Sequence, residues 1–149
     1  MEEKERPVVI ISGGFDPPHI GHMRLIHAAA RLGRVLALVH SDGWLQRKKG
    51  HVFMPLAERC EFLLAVEGVW GVRMARDQDN EGVEESLRAV RDDYPDDTLI
   101  FANGGDRLQA PEAEERVCRE EGIVLAYNVG GGKVQSSSAL VKAVQCGSG

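Results

Sequence analysis

The chain has 149 residues, 43% apolar and 28% charged, which is enough for one domain with a real core and ordinary for a globular protein. A formal net charge of −5 argues against broad nucleic-acid binding, which needs a basic face, and leaves room only for a local basic patch. The apolar runs are far too short to span a bilayer, and Cys60, Cys118 and Cys146 form no C-x-x-C pair, so a membrane span, a disulfide framework and a zinc site are all unexpected.

Taken in order, strands and helices alternate. Residues 7–12 read as a first strand, and a helix beginning at His19 or Gly21 runs to Leu32, where Gly33 follows as a C-cap. Residues 34–40 form a continuous apolar run, the pattern of a strand covered on both faces. Residues 41–55 read as a polar loop, 56–66 as a helix and 68–75 as a weaker third strand. A helix over 81–93 carries the stripe Val83, Leu87 and Val90; residues 98–102 make a fourth strand. Pro111 opens a helix to Glu121, residues 123–127 make a fifth strand, and a Gly-rich loop leads to a last helix over 136–144. This alternation predicts an α/β, Rossmann-like, doubly wound five-stranded parallel sheet in a single domain, 1–149, with frayed ends at about 1–6 and 146–149. Such sheets bind ligands beyond the carboxyl ends of their strands, so the loops after strands one, two, four and five are the ones to read.

The first of these loops is Gly13-Gly14-Phe15-Asp16-Pro17-Pro18-His19-Ile20-Gly21-His22. Its glycines let backbone approach a ligand and its prolines stiffen it. His19 and His22, three apart at a helix start, share one face. Two donors that can turn cationic, at the positive end of a helix dipole, suit charge developing on a phosphoryl group.

After strand two, Arg47-Lys48-Lys49 is the densest basic cluster in the chain, placed to meet a triphosphate. After strand four, Gly104-Gly105-Asp106-Arg107 offers close backbone approach and a carboxylate for ribose or base. After strand five, Gly132-Lys133 is followed by Val134, so no P-loop is present. What is left there is Ser136, Ser137 and Ser138 at a helix N-terminus, one to cap and others to meet an anion.

The first string resembles the G-x-F-D-P-x-H-x-G-H signature of the cytidylyltransferase-like nucleotidyltransferases, a superfamily that includes glycerol-3-phosphate cytidylyltransferase and heptose-1-phosphate adenylyltransferase. The later loops resemble that family's K-K-G, E-R, G-G-D and S-S-T segments, in the same order along nearly the whole chain. The resemblance implies transfer of a nucleoside monophosphate, CMP by a small margin and AMP as the alternative, from a nucleoside triphosphate to a small phosphorylated acceptor, with release of pyrophosphate. It implies His19 and His22 on the α-phosphate, and Lys48 or Lys49 on the triphosphate. Gly13, Gly14, Phe15, Asp16, Gly21, Gly105, Asp106, Arg107 and the three serines would bind nucleotide, with Asp16 ordering the loop or approaching the phosphates through Mg2+. Arg59 would face the site. Where the family has an arginine after S-S-T this chain has Val141, with Lys142 one residue later as a substitute. A cytoplasmic enzyme, often a homodimer, with no nucleic-acid or membrane partner completes the expectation. Two competing readings are a nucleotide sensor without turnover and a metal-dependent hydrolase. The second lacks a third ligand at metal spacing.

Overall fold

A computed structural model describes residues 6–78, 82–105 and 110–131. Five parallel strands, β1 (Val8–Gly13), β2 (Arg34–Val39), β3 (Val69–Met74), β4 (Leu99–Ala102) and β5 (Val124–Ala126), form one sheet in the order β3-β2-β1-β4-β5. The helices are α1 (Ile20–Leu32), α2 (Asp42–Lys49), α3 (Leu56–Leu64), α4 (Glu84–Asp93) and α5 (Glu112–Glu121). From β1 the chain moves outward through β2 and β3, then returns to lay β4 on the other side of β1. The strand order reverses between β1 and β4, and a ligand crevice forms at such a switch point.

Alternation along β1 sorts the core into two layers. Val8 and Ile10 pack with Leu87 and Val90 of α4 and Val117 and Cys118 of α5. Val9 and Ile11 pack with Ile26 and Ala29 of α1 and Leu63 of α3. All six residues of β2 are buried, as its unbroken apolar run predicts for a strand covered on both faces. The Rossmann-like parallel sheet expected from the alternation is the sheet observed.

Three local expectations need correction. Residues 42–49 are helical where a loop was expected. Ser41 caps that helix, its Oγ accepting from the Trp44 amide at 3.1 Å; Asp42 sits in the first turn, Arg47, Lys48 and Lys49 in the last, and Gly50 ends it in the left-handed conformation at φ 79°. Only Leu45 of α2 is buried, so no apolar stripe advertises it. Helix α4 starts at Glu84, because Val83 occupies the N-cap position; Glu81 lies outside the described residues. Gly33 does follow α1, with φ 171°, which any residue adopts. Glycine is needed there for closeness: a Cβ would lie 2.1 Å from the Pro7 carbonyl oxygen. The helix expected over 136–144 lies outside the described residues. No helix among the described residues is long and apolar enough to cross a membrane.

Candidate active site

The loop leaving β1 delivers His19 to the N-cap of α1. Its Nδ1 accepts from the Gly21 amide at 3.0 Å, and Nδ1 of His22 accepts from the His19 amide at 3.0 Å. The two rings stack at 3.8 Å with 23° between their planes. A nitrogen that accepts an N–H carries no proton, so each neutral ring holds its hydrogen on Nε2. Burial, then the charges of His19 and Lys49, bring the His22 pKa down from 6.5 to about 3. The expectation of a donor that can turn cationic therefore fails for His22. It is a neutral Nε2–H donor, its ring orientation set by the backbone it caps.

Phe15, expected to touch nucleotide, is instead an internal support. It is 2% exposed, in the left-handed region at φ 51°, with its ring tilted against His22 at a centroid distance of 4.7 Å. Asp16 is buried, and its two oxygens accept from the Phe53 amide at 2.7 Å and the Met54 amide at 2.5 Å. These two bonds tie the loop after β1 to the segment before α3. Among the described residues no three His, Cys, Asp or Glu side chains converge as a metal site. Gly13 closes β1, its carbonyl accepting from the His40 amide at 3.0 Å, and Gly14 lies so close to α2 that a Cβ would fall 2.9 Å from Leu45 Cδ2.

Arg59 corrects another expectation. Its guanidinium is fully buried and points away from solvent. Nε donates to the Met54 carbonyl at 2.8 Å, Nη1 to the Gly14 and His40 carbonyls at 2.8 and 2.7 Å, and Nη2 to Asp42 Oδ1 at 2.6 Å. One planar fork thus ties together the loop after β1, the end of β2, the start of α2 and the segment before α3. It is a clamp on the site's walls, and its signal in the sequence was only an arginine in the first turn of a helix.

The basic cluster divides three ways. Arg47 Nη2 donates to the Asp77 carbonyl at 2.6 Å. Lys48 is exposed and Lys49 half-buried, and the Lys49 charge is the one felt at His22. The loops after β4 and β5 are knitted to each other. The Asn103 amide donates to Ala126 and the Val129 amide to Asn103, at 2.8 and 3.0 Å. The Asn128 side-chain amide donates to the carbonyls of Gly105 and Gly131, both at 3.1 Å. Gly105 is therefore fixed against the β5 loop beyond the carboxyl end of β4. Asp106, Arg107, Ser136, Ser137, Ser138 and Lys142 lie outside the described residues. Sequence reasoning missed Asn128 and Asp77; the first shows only as one more polar residue before a Gly-rich loop, and the second as one acid in a charged stretch.

Residues 10–129 match the family model described as cytidylyltransferase-like. The bifunctional protein HldE of Streptomyces coelicolor is 34% identical over 144 residues, covering 92% of this chain and 28% of that protein. HldE of Erwinia tasmaniensis is 33% identical over 116 residues, covering 70% and 24%. The chain thus spans about a quarter of the length of these curated relatives. Among solved structures, the lipopolysaccharide core biosynthesis protein from Thermoplasma volcanium superposes with a TM-score of 0.61 at 19% identity, covering 82% of this chain and 93% of that one. The Putative Nicotinate-nucleotide Adenylyltransferase from Vibrio parahaemolyticus gives 0.63 at 17%, covering 95% and 88%. At those identities the likeness is one of fold. The match over residues 10–129 carries the assignment: the chain belongs to the cytidylyltransferase-like family of nucleotidyltransferases.

Proposed function

We propose that this chain transfers an adenylyl group from magnesium–ATP to a small phosphorylated acceptor, a sugar phosphate or a mononucleotide, and releases pyrophosphate. The observation that carries the reading is the His19–His22 pair. Two stacked imidazoles, each capping the first turn of α1 through Nδ1, hold Nε2–H hydrogens at the mouth of the β1–β4 switch point. Donors fixed in this way lose no reorganisation energy when charge grows on a bound phosphoryl oxygen. The acceptor is already an anion, so its phosphate oxygen attacks the α-phosphorus in line with no protein nucleophile and no strong base. His19 and His22 hold the α-phosphate, Lys49 neutralises the triphosphate and the hydroxyls of 136–138 meet its far end. Magnesium comes with the triphosphate, as part of the substrate.

Adenylyl is preferred to the cytidylyl transfer that the resemblance favoured by a small margin. The first loop also resembles that of heptose-1-phosphate adenylyltransferase, and one solved neighbour carries an adenylyltransferase's name. The test is pyrophosphate release with magnesium, each of the four common nucleoside triphosphates, and a panel of sugar, polyol and nucleotide phosphates. Release with ATP and a sugar phosphate or mononucleotide is expected. Release with CTP alone would keep the chemistry and overturn the choice of base. Tight triphosphate binding with no release across the panel would favour the sensor.

A further inference from the structure

Asp77 belongs to the short stretch that follows β3, and its side chain is fully buried. Its Oδ2 accepts from the Ser41 amide at 2.9 Å and lies 2.8 Å from His40 Nδ1; its Oδ1 accepts from the Ser41 hydroxyl at 2.6 Å. That hydroxyl is the N-cap of α2. The backbone carbonyl of the same residue accepts from Arg47 in the last turn of α2. One residue therefore grips both ends of a helix. Burial works against ionising its carboxyl, but the Ser41 hydroxyl and amide, and then His40, outweigh it, so the pKa lies below the usual value and the group is an anion near neutral pH.

Helix α2 has little of its own to hold it in place. An eight-residue helix is short of independent stability, and only Leu45 is buried along it. The Leu45 side chain rests on Gly14 of the first loop, and the Trp44 ring stacks flat on His40 at 3.8 Å. Where α2 sits is thus decided by groups outside it, and where α2 sits decides where Lys49 is.

We propose that Asp77 is a positioning residue for the transfer reaction: by holding Ser41 and Arg47 it seats α2 against Gly14 and presents Lys49 to the triphosphate. This rests on the nucleotidyltransferase reading. It gives the β3 loop, two strands away from the histidines, a direct mechanical hold on nucleotide affinity. A purely stabilising role predicts something else, namely a loss that does not depend on Lys49.

The test is a double-mutant cycle read by calorimetric titration of magnesium–ATP, with magnesium–CTP in parallel, into the wild type, Asp77→Asn, Lys49→Met and the double variant. Residues that act through one another are non-additive. Asp77→Asn is expected to weaken triphosphate binding about tenfold in the wild type and less than about twofold in the Lys49→Met background. Arg47→Met removes the hydrogen bond by which the Asp77 carbonyl holds the last turn. It is expected to act in the same direction and also to lose its effect without Lys49, and it carries the test if Asp77→Asn does not fold. Equal losses in both backgrounds, or an unaltered affinity in Lys49→Met, would overturn the inference while leaving the transferase reading standing. A folded wild type that binds neither triphosphate would overturn that reading itself.

Discussion

His19 and His22 cap each other's turn: the amide of His19 donates to Nδ1 of His22, while Nδ1 of His19 accepts from the amide of the intervening Gly21. The same hydrogen bonds that start α1 therefore choose the tautomer of both rings. Helix formation and the aiming of two donors are one event here.

His22→Ala should lower turnover about 100-fold or more, the usual cost of losing one donor to a developing oxyanion. Thermal denaturation should still show a cooperative fold, since the ring is a cap and not a core residue. Pyrophosphate release near wild-type rate in a folded His22→Ala protein would remove His22 from the mechanism.

The low pKa of His22 fixes two pH effects. The fold favours the neutral ring, so the native state binds fewer protons than the unfolded state between about 3 and 6.5. Its contribution to stability is complete above pH 6.5 and is lost as pH falls towards 3. Melting temperature should drop across that window, and less so in a His22→Asn variant. In NMR titrations the His22 ring should show no inflection near 6.5, and the turnover profile should have no limb there from this group.

Arg59→Met should destabilise the fold by about 3 kcal/mol or more. It orphans the buried carbonyl of His40 and the half-buried carbonyls of Gly14 and Met54, and each unmet acceptor inside the fold costs about 1–3 kcal/mol, not additively. Denaturant unfolding measures this. A loss below about 1 kcal/mol would mean the loops find other donors.

Gly14→Ala tests the contact between the first loop and α2. The new Cβ would lie 2.9 Å from Leu45 Cδ2, the far end of a flexible side chain, so α2 or Leu45 must yield. Triphosphate affinity should fall more than stability does. Adding Leu45→Val should recover part of the affinity, although the second change alone costs core packing.

Gly130 and Gly131 make an internal control. Both have positive φ, 85° and 90°, but a Cβ on Gly130 would lie 2.8 Å from the Arg24 carbonyl oxygen, whereas one on Gly131 meets nothing within 4 Å. Gly130→Ala should lower the melting temperature clearly more than Gly131→Ala. Equal effects would mean backbone strain alone is at work, without the close approach to α1.

Much of this molecule could be read from residue order. The apolar run of β2, the helical stripe Val83, Leu87 and Val90, and the Gly/Pro/His string after β1 are each local patterns, so the parallel sheet and the position of its working loop followed from them. Helix α2 was not legible, because a polar eight-residue helix with one buried residue has no periodicity to detect. Its caps, Ser41 and Gly50, were the available signal. The roles of single side chains were the least legible. Phe15 and Arg59 sit in the motifs as though they met a ligand, yet one supports a histidine ring from inside and the other clamps four backbone segments. Asp77 gave no sign at all, since its partners Ser41 and Arg47 are 36 and 30 residues away in sequence. Sequence by itself determined which chemistry-bearing groups the chain owns and which strand ends carry them, because those depend on local spacing. Only the tertiary structure decided which of these groups are engaged inside the fold and which ring nitrogen of His19 and His22 accepts from the backbone. Burial and long-range hydrogen bonds set those, and neither has a local pattern.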